Sequence, residues 1–132
     1  MNAPTSESTS GLGFEVDRDH VGWLTFDRPD ASTNLLTPTL MQELDALLSQ
    51  LESRIANGQI FALVLRSGKE GSFIAGADVE AIAALSSAAD ARAASAEGQR
   101  IFRRIDRLRV PTVAAVDGAC MGGGTELILH CD

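Results

Sequence analysis

The stretch VPTVAAVDGACMGGGTELILHC at residues 110–131 carries the strongest fold signal in the chain. It opens with an apolar run of strand length, Val110–Val116, passes a glycine triplet at 122–124 and becomes apolar again from Glu126. A strand without polar alternation is typical of a sheet covered on both faces, as parallel sheets are. The pattern therefore predicts a buried strand, a glycine-bearing turn and a helix, in that order.

The same order of elements occurs once earlier in the chain. Ile60–Leu65 is a continuous apolar run, and a glycine-bearing segment follows it at residues 67–77. A helix is predicted from about Asp78, which is expected to be its N-cap. After a break at residues 86–87, a longer helix is predicted to about Leu108. Strands that alternate with helices indicate an α/β layer structure built on a parallel sheet.

The N-terminal part contains a hairpin and one amphipathic helix. Residues 1–12 are polar and are expected to form a disordered tail. Phe14–Val16 and Val21–Phe26 predict two short strands joined by a turn. A helix is predicted from the cap at residues 37–38 to the Asn-Gly pair at residues 57–58. Its apolar residues recur at three- and four-residue spacing and define one face: Leu40, Leu44, Leu47, Leu48, Leu51 and Ile55.

Composition restricts the class of protein. The 132 residues suit one domain, which we place at residues 13–132, and 45% hydrophobic residues suffice for a core. Eighteen acidic against eleven basic residues give a net charge of −7, which disfavours a nucleic-acid partner. No apolar run approaches the roughly 20 residues of a membrane span, and the start does not resemble a signal peptide. We expect a cytoplasmic or organellar location.

Two short segments contain the candidate chemistry. The first is residues 73–78, FIAGAD, where small side chains leave the backbone accessible and Gly76 can adopt a positive φ. Its N–H groups could then donate outward. An ordinary strand-to-helix turn is the alternative interpretation of this segment.

The second segment joins the glycine triplet to an acidic residue. Three consecutive glycines cost roughly 0.5–1 kcal/mol each relative to alanine, which suggests a backbone exposed for a purpose. Glu126 follows Gly123 by three residues, so both would lie on one helical face. A carboxylate beside an anion-binding amide suits proton transfer next to a carbonyl. Packing glycines with a first-turn glutamate are the alternative, and the sequence leaves both open.

Other reactive residues are interpreted as structural. No metal site is predicted, because neither histidine has a partner at ligand spacing and the two cysteines lack zinc spacing. The arginine-rich helix face is expected to be solvated, with phosphate contact as the alternative. These residues are His20, His130, Cys120 and Cys131, and Arg100, Arg103, Arg104, Arg107 and Arg109.

Together, residues 73–78 and 111–127 resemble the crotonase (enoyl-CoA hydratase/isomerase) superfamily in order and separation, and the similarity spans about residues 13–132. The loop at residues 28–36 is most similar to the N-terminal hydratase region of multifunctional fatty-acid oxidation proteins, where an asparagine occupies the position of Asn34. The resemblance implies a β-β-α spiral of which this chain holds the N-terminal part. It also implies a homotrimer or a module of a fatty-acid oxidation complex.

The resemblance further implies an acyl-CoA thioester substrate, so that coenzyme A enters as part of the substrate and no separate cofactor is needed. The backbone amides of Ala75 and Gly123 would hold the thioester oxygen. Glu126 matches the glutamate that activates the water added across the 2,3-double bond. The substrate-binding positions implied are Ala31, Ser32, Thr33, Asn34, Ala75, Gly76, Ala77, Asp78, Gly122 and Gly123.

One departure from the family pattern qualifies this expectation. The second family glutamate and the C-terminal helices would follow Asp132, so we expect the 132-residue chain alone to be inactive. Three alternatives stay open: an isomerase, thioesterase or dehalogenase with the same oxyanion site, a non-catalytic module that could bind RNA, and a structural α/β domain.

Overall fold

A computed structural model describes residues 10–132. The expected disordered tail lies outside the described residues up to residue 9. Its last residue, Leu12, begins the first strand, pairs with Phe26 and is 8% exposed. The ordered domain therefore starts slightly earlier than residue 13.

The chain contains twelve elements within the described residues. The strands are β1 (Leu12–Val16), β2 (Val21–Phe26), β3 (Leu35–Leu36), β4 (Ala62–Ser67), β5 (Ser72–Ile74), β6 (Gly76–Ala77), β7 (Thr112–Ala114) and β8 (Ala119–Cys120). The helices are α1 (Pro38–Ala56), α2 (Val79–Ala83), α3 (Ala88–Asp106) and α4 (Gly123–Ile128). The hairpin and all four helices were predicted. The two- and three-residue strands β3, β5, β6 and β8 were not.

The strands form one larger sheet and two small parallel pairs. The larger sheet has the order β1-β2-β4-β7, with β1 antiparallel to β2 and the other neighbours parallel. β3 pairs with β6, and β5 pairs with β8. Each return of the chain thus adds one strand to the larger sheet and one or two strands to the small pairs. The α/β class with a parallel sheet is confirmed.

The second small pair brings the glycine triplet against the first glycine-bearing segment. Ala119 N–H donates to the Gly71 carbonyl at 3.2 Å, and Met121 N–H donates to the Ile74 carbonyl at 3.0 Å. The two segments that carry the candidate chemistry are therefore neighbours, although about 45 residues of chain separate them.

Helix α1 forms as its sequence predicts. The Thr37 side chain accepts a hydrogen bond from Leu40 N–H, and Pro38 occupies the first turn, where its missing N–H costs nothing. The buried face consists of Leu40, Leu44, Leu48 and Leu51. It packs with the sheet and with the last turns of α3, where Ile101, Phe102 and Ile105 are buried.

The expected buried strand Val110–Val116 requires correction. Only Thr112–Ala114 is a strand, and Val113 and Val116 are 53% and 43% exposed. The reason is position, because β7 is the outer strand of the sheet within the described residues. A continuous apolar run predicts a strand but does not reveal whether both of its faces are covered.

Arginines of α3 tie that helix to α1. Arg104 Nη1 lies 2.6 Å from Asp45 Oδ1, and Arg100 Nη2 lies 2.7 Å from Asp45 Oδ2. Arg104 also pairs with Glu52 at 3.1 Å. Part of the arginine-rich face therefore forms a cross-helix ion-pair network. Hydrogen bonding to Arg100, reinforced by Arg104, holds the pKa of the Asp45 carboxyl below its ordinary value.

We expect Asp45→Asn to lower the free energy of unfolding at neutral pH by about 1 kcal/mol, since the network links two helices. Because the folded-state pKa is depressed, the ionised carboxylate stabilises the fold above an unfolded pKa of about 3.9, and this stabilisation is lost as the pH falls through the lower folded value. Urea titrations at pH 7 and at pH 3 should therefore show a smaller difference from the wild type at pH 3. Asp106→Asn, which removes a carboxylate without a salt bridge in residues 10–132, is the control for the loss of one negative charge at pH 7. A pH-independent difference for Asp45→Asn would contradict the assignment.

Candidate active site

A cleft of about 700 Å³ lies beside α1 and reaches the start of α4. Its volume falls within the range of small-molecule sites. Side chains from α1, α2 and α3 form its walls, and β6 and α4 close one part of it. The lining residues are Leu36, Pro38, Met41, Gln42, Asp45, Ala77, Asp78, Ala81, Ile82, Leu85, Ala91, Ala94, Ser95, Glu97, Gly98, Gln99, Ile101, Phe102, Gly123 and Glu126.

The glycines of the triplet meet different requirements. Gly122 has φ +53° and ψ −122°, a conformation that side chains with a Cβ rarely adopt. A Cβ on Gly124 would lie 2.8 Å from the Cβ of Ile74, so that position must lack a side chain. Backbone conformation thus accounts for Gly122, and packing, which was the alternative interpretation, accounts for Gly124. Gly123 differs, because it lines the cleft.

The backbone N–H of Gly123 is an unused donor. Its neighbours are occupied, since Gly124 N–H donates to the Met121 carbonyl at 2.9 Å and Glu126 N–H donates to the Gly122 carbonyl at 3.1 Å. Within residues 10–132, Gly123 N–H has no such acceptor. An unpaired amide at the wall of a cleft can accept an anion or a polarised carbonyl oxygen as its partner.

Glu126 lies on the same cleft as Gly123, one helical turn farther along α4. Its side chain is exposed, and among the described residues no hydrogen bond or ion pair engages its carboxylate. The placement of both residues on one helical face agrees with the spacing argument. A free carboxylate beside an unused amide can exchange a proton with a bound molecule.

The assignment of Ala75 as the second donor requires correction. Its N–H donates to the Asn34 carbonyl at 2.9 Å and is therefore engaged inside the protein. Ala75 also does not line the cleft, whereas Ala77 does. The backbone nitrogen of Ala77 lies 3.8 Å from the position that a Cβ of Gly123 would occupy. The residue of this segment that faces Gly123 is thus Ala77, and Gly76 before it has φ +135°.

Asn34 has a structural role in place of the expected ligand contact. It is 1% exposed, and its Nδ2 donates to the Phe26 and Phe73 carbonyls at 2.9 Å and to Ser67 Oγ at 3.0 Å. Its Oδ1 accepts from Arg28 N–H at 2.9 Å. The side chain thus connects the ends of β2, β4 and β5. A buried amide with this many partners is unavailable to a ligand.

The cleft brings together four of the positions expected to act: Ala77, Asp78, Gly123 and Glu126. Asp78 also caps α2 through Oδ1, which accepts from Glu80 N–H and Ala81 N–H. The other expected positions do not line the cleft, namely Ala31, Ser32, Thr33, Asn34, Ala75, Gly76 and Gly122. A wider role for the loop at residues 31–34 stays a prediction.

Sequence reasoning missed most of the cleft wall. Met41, Ile101 and Phe102 line the cleft, although no functional role was predicted for them. The exposed apolar side chains Ile82 and Leu85 also line it. These two apolar residues, three positions apart in α2 and just after it, were the available signal.

The remaining reactive side chains do not form a second site. In residues 10–132 no group of three or more His, Cys, Asp or Glu could hold a metal ion. The His20 ring lies against Phe61, with ring centroids 4.7 Å apart. Burial raises the pKa of the Cys131 thiol to about 11, so it stays protonated at neutral pH. No helix in the described part of the chain is long and apolar enough to cross a membrane.

Comparison with known proteins shows the family of the chain. The sequence profile of the enoyl-CoA hydratase/isomerase family matches residues 17–132. The chain is 40% identical over 126 residues to the fatty acid oxidation complex subunit alpha of Aliivibrio fischeri and 44% identical over 118 residues to that of Idiomarina loihiensis. These matches cover 96% and 89% of this chain, and 18% and 16% of the relatives.

Solved structures show the same fold. An enoyl-CoA hydratase from Bacillus anthracis superposes with a TM-score of 0.81 at 27% identity, and one from Mycobacterium smegmatis with 0.82 at 26%. Each superposition covers 92% of this chain, and 45% and 46% of those chains. The chain belongs to the enoyl-CoA hydratase/isomerase family, with the crotonase fold. Within that family it is similar to the N-terminal hydratase region of fatty acid oxidation alpha subunits, and it spans under a fifth of their length.

We expect Asn34→Ala to lower the free energy of unfolding by about 1–3 kcal/mol, because it leaves buried backbone groups without partners. Ser32→Ala, two residues away on an exposed part of the same loop, should change it by less than about 0.5 kcal/mol. Chemical denaturation followed by circular dichroism measures both. If the two variants were equally stable, the connecting role of Asn34 would be refuted.

Proposed function

We propose that this chain is the hydratase part of a longer protein that adds water to 2-enoyl-CoA thioesters in fatty-acid β-oxidation. The observation that carries the proposal is the juxtaposition of an unused amide at Gly123 and a free carboxylate at Glu126 in an apolar cleft. The apolar walls suit an acyl chain. The two polar groups suit the reacting thioester.

The amides of Gly123 and Ala77 are proposed to bind the thioester oxygen. When water attacks C3, the electrons of the 2,3-double bond move onto that oxygen, and the resulting enolate carries negative charge. Donors fixed in advance stabilise this charge without reorganising, and removal of one donor in comparable sites costs roughly 3–4 kcal/mol. The 3.8 Å between Ala77 N and the Cβ position of Gly123 is compatible with two donors that share one atom.

Glu126 is proposed to accept a proton from the attacking water as the water oxygen bonds to C3. The enolate then collapses when C2 takes up a proton from water, and Glu126 returns its own proton to water, which gives a 3-hydroxyacyl thioester with one water consumed. A carboxylate that has no other partner in the described residues is free for this transfer. Coenzyme A is part of the substrate, so the reaction needs no further cofactor.

The proposed context follows from the relatives. The matched proteins of Aliivibrio fischeri and Idiomarina loihiensis are alpha subunits of fatty acid oxidation complexes, which supports a module of such a complex in a bacterial cytoplasm. A homotrimer is the other assembly proposed. A nucleic-acid partner is not proposed, since the net charge is −7.

Glu126→Gln in the whole protein encoded by the gene should lower kcat for hydration of crotonyl-CoA by about 10²–10⁴, because the amide cannot accept the proton. Glu80→Gln, which removes a carboxylate outside the cleft, is the matched control and should retain wild-type kcat. The assay is the loss of ultraviolet absorbance of the conjugated thioester. Unchanged hydration by Glu126→Gln would refute the proposed role. If the protein instead converted a 3-enoyl to a 2-enoyl thioester without hydrating either, isomerisation would replace hydration as the function.

A comparison of Gly123→Pro with Gly123→Ala distinguishes the loss of the backbone N–H from the steric effect of an added Cβ. Both add a Cβ that would lie 2.9 Å from Leu36 Cδ1, the end of a flexible side chain, but only proline removes the N–H. We expect kcat for Gly123→Pro to fall about 10²–10³ below that for Gly123→Ala. Equal kcat values for the two variants would mean that the oxygen is bound elsewhere.

A further inference from the structure

The cleft has a charged end that the proposed chemistry does not use. Asp45 and Glu97 line it, and Arg100 binds both. Arg100 Nη2 lies 2.7 Å from Asp45 Oδ2 and 2.7 Å from Glu97 Oε1, and its Nε donates to Glu97 Oε2 at 2.9 Å. We refer to these three side chains as the Arg100 cluster.

The Arg100 cluster lies at a definite distance from the reacting end. A Cβ on Gly123 would almost touch Leu36, and α1 begins two residues later at Pro38. Pro38 and Asp45 both line the cleft, and the seven helical steps from one to the other span about 10 Å at 1.5 Å per residue. The cleft therefore follows α1 for about 10 Å between its two ends.

The wall between the two ends is mainly apolar, with Gln42, Ser95 and Gln99 as polar members. Its apolar part is formed by Met41 from α1, by Ala81, Ile82 and Leu85 from the α2 region, and by Ala94 and Ile101 from α3. An alkyl chain in contact with this wall leaves water, and each buried methylene improves its affinity by about fourfold.

The gain in affinity per methylene ends at the Arg100 cluster. Hydrogen bonds from Arg100 hold the pKa of the Asp45 and Glu97 carboxyls below their ordinary values, so both are ionised at neutral pH. Ionised side chains at an open edge retain their water. A methylene that reaches them consequently stays hydrated and adds no affinity.

We propose that Glu97 is a specificity-determining residue, which together with Asp45 and Arg100 ends the acyl-binding part of the cleft. This inference rests on the proposed acyl-CoA function. With C–C bonds of about 1.52 Å and angles of about 111°, an extended chain advances about 1.25 Å per carbon. The 10 Å of apolar wall thus accommodates about eight carbons, and the preferred substrates are medium-chain acyl-CoA thioesters. Longer chains bind without further gain.

The test is a series of saturated acyl-CoA thioesters from butanoyl to hexadecanoyl, titrated by calorimetry into the whole protein. For the wild type, Kd should improve about fourfold per methylene up to octanoyl or decanoyl and then stay level. Glu97→Leu extends the apolar wall and should raise the affinity for dodecanoyl relative to octanoyl by at least fourfold. Glu97→Gln, of similar size but polar, is the matched control and should shift this ratio by less than twofold.

Two results would overturn the inference: a wild-type affinity that improves steadily to hexadecanoyl, or equal shifts for Glu97→Leu and Glu97→Gln. The wild-type series decides the matter even if a variant does not fold, which circular dichroism would reveal. Turnover of crotonyl-CoA, measured separately, tests the proposed function. Graded binding with a level region but no hydration would support the inference and refute the hydratase. Hydration of crotonyl-CoA without a level region in the affinity series would support the proposed hydratase function and refute the inference on chain length.

Discussion

The hydrogen bonds of Asn34 are the constraint on which the site depends. The side chain joins the ends of three strands, and the backbone carbonyl of the same residue engages Ala75 N–H. The segment after β5 is thereby fixed at one residue, and Ala77, two residues later, lines the cleft with Gly123 of α4. In a core with little empty space, a fixed residue determines where the next ones lie. The position of one proposed donor thus follows from a buried amide that never meets the substrate.

Much of the fold was predictable because its signals are local. The cap at Thr37, the leucine spacing of α1 and the two apolar runs each depend on neighbours in sequence, and the structure contains the expected elements. The two-residue strands β3 and β6 were not predictable, since they exist only because distant segments pair. The prediction that both faces of β7 are covered was wrong for a related reason. Contacts with segments distant in sequence decide which faces of a strand are covered.

Some features of the candidate site were likewise predictable from the sequence, and others were not. Gly123 and Glu126 were predicted to share one helical face because helical spacing alone relates them, and both line the cleft. Ala75 and Asn34 were misassigned because a motif shows which segment approaches the site, whereas only coordinates show which N–H is already paired. Ala75 and Ala77 are alanines of one six-residue segment, so the sequence alone does not separate them. The charged end of the cleft could not be predicted from the sequence, because it joins α1 to α3 across more than fifty residues.

The docking of β8 on β5 restricts how this chain can change over evolutionary time. Ala119 and Met121 are hydrogen-bonded to Gly71 and Ile74, and a few residues later Gly124 rests on Ile74 itself. A segment that is held by hydrogen bonds and packing at both ends of so short a span cannot change its length without moving the residues that follow. Side chains there can be exchanged where space allows, but an inserted or deleted residue would rotate the following helix and turn its acidic residue away from the cleft. Length, more than composition, is what this part of the polypeptide must preserve.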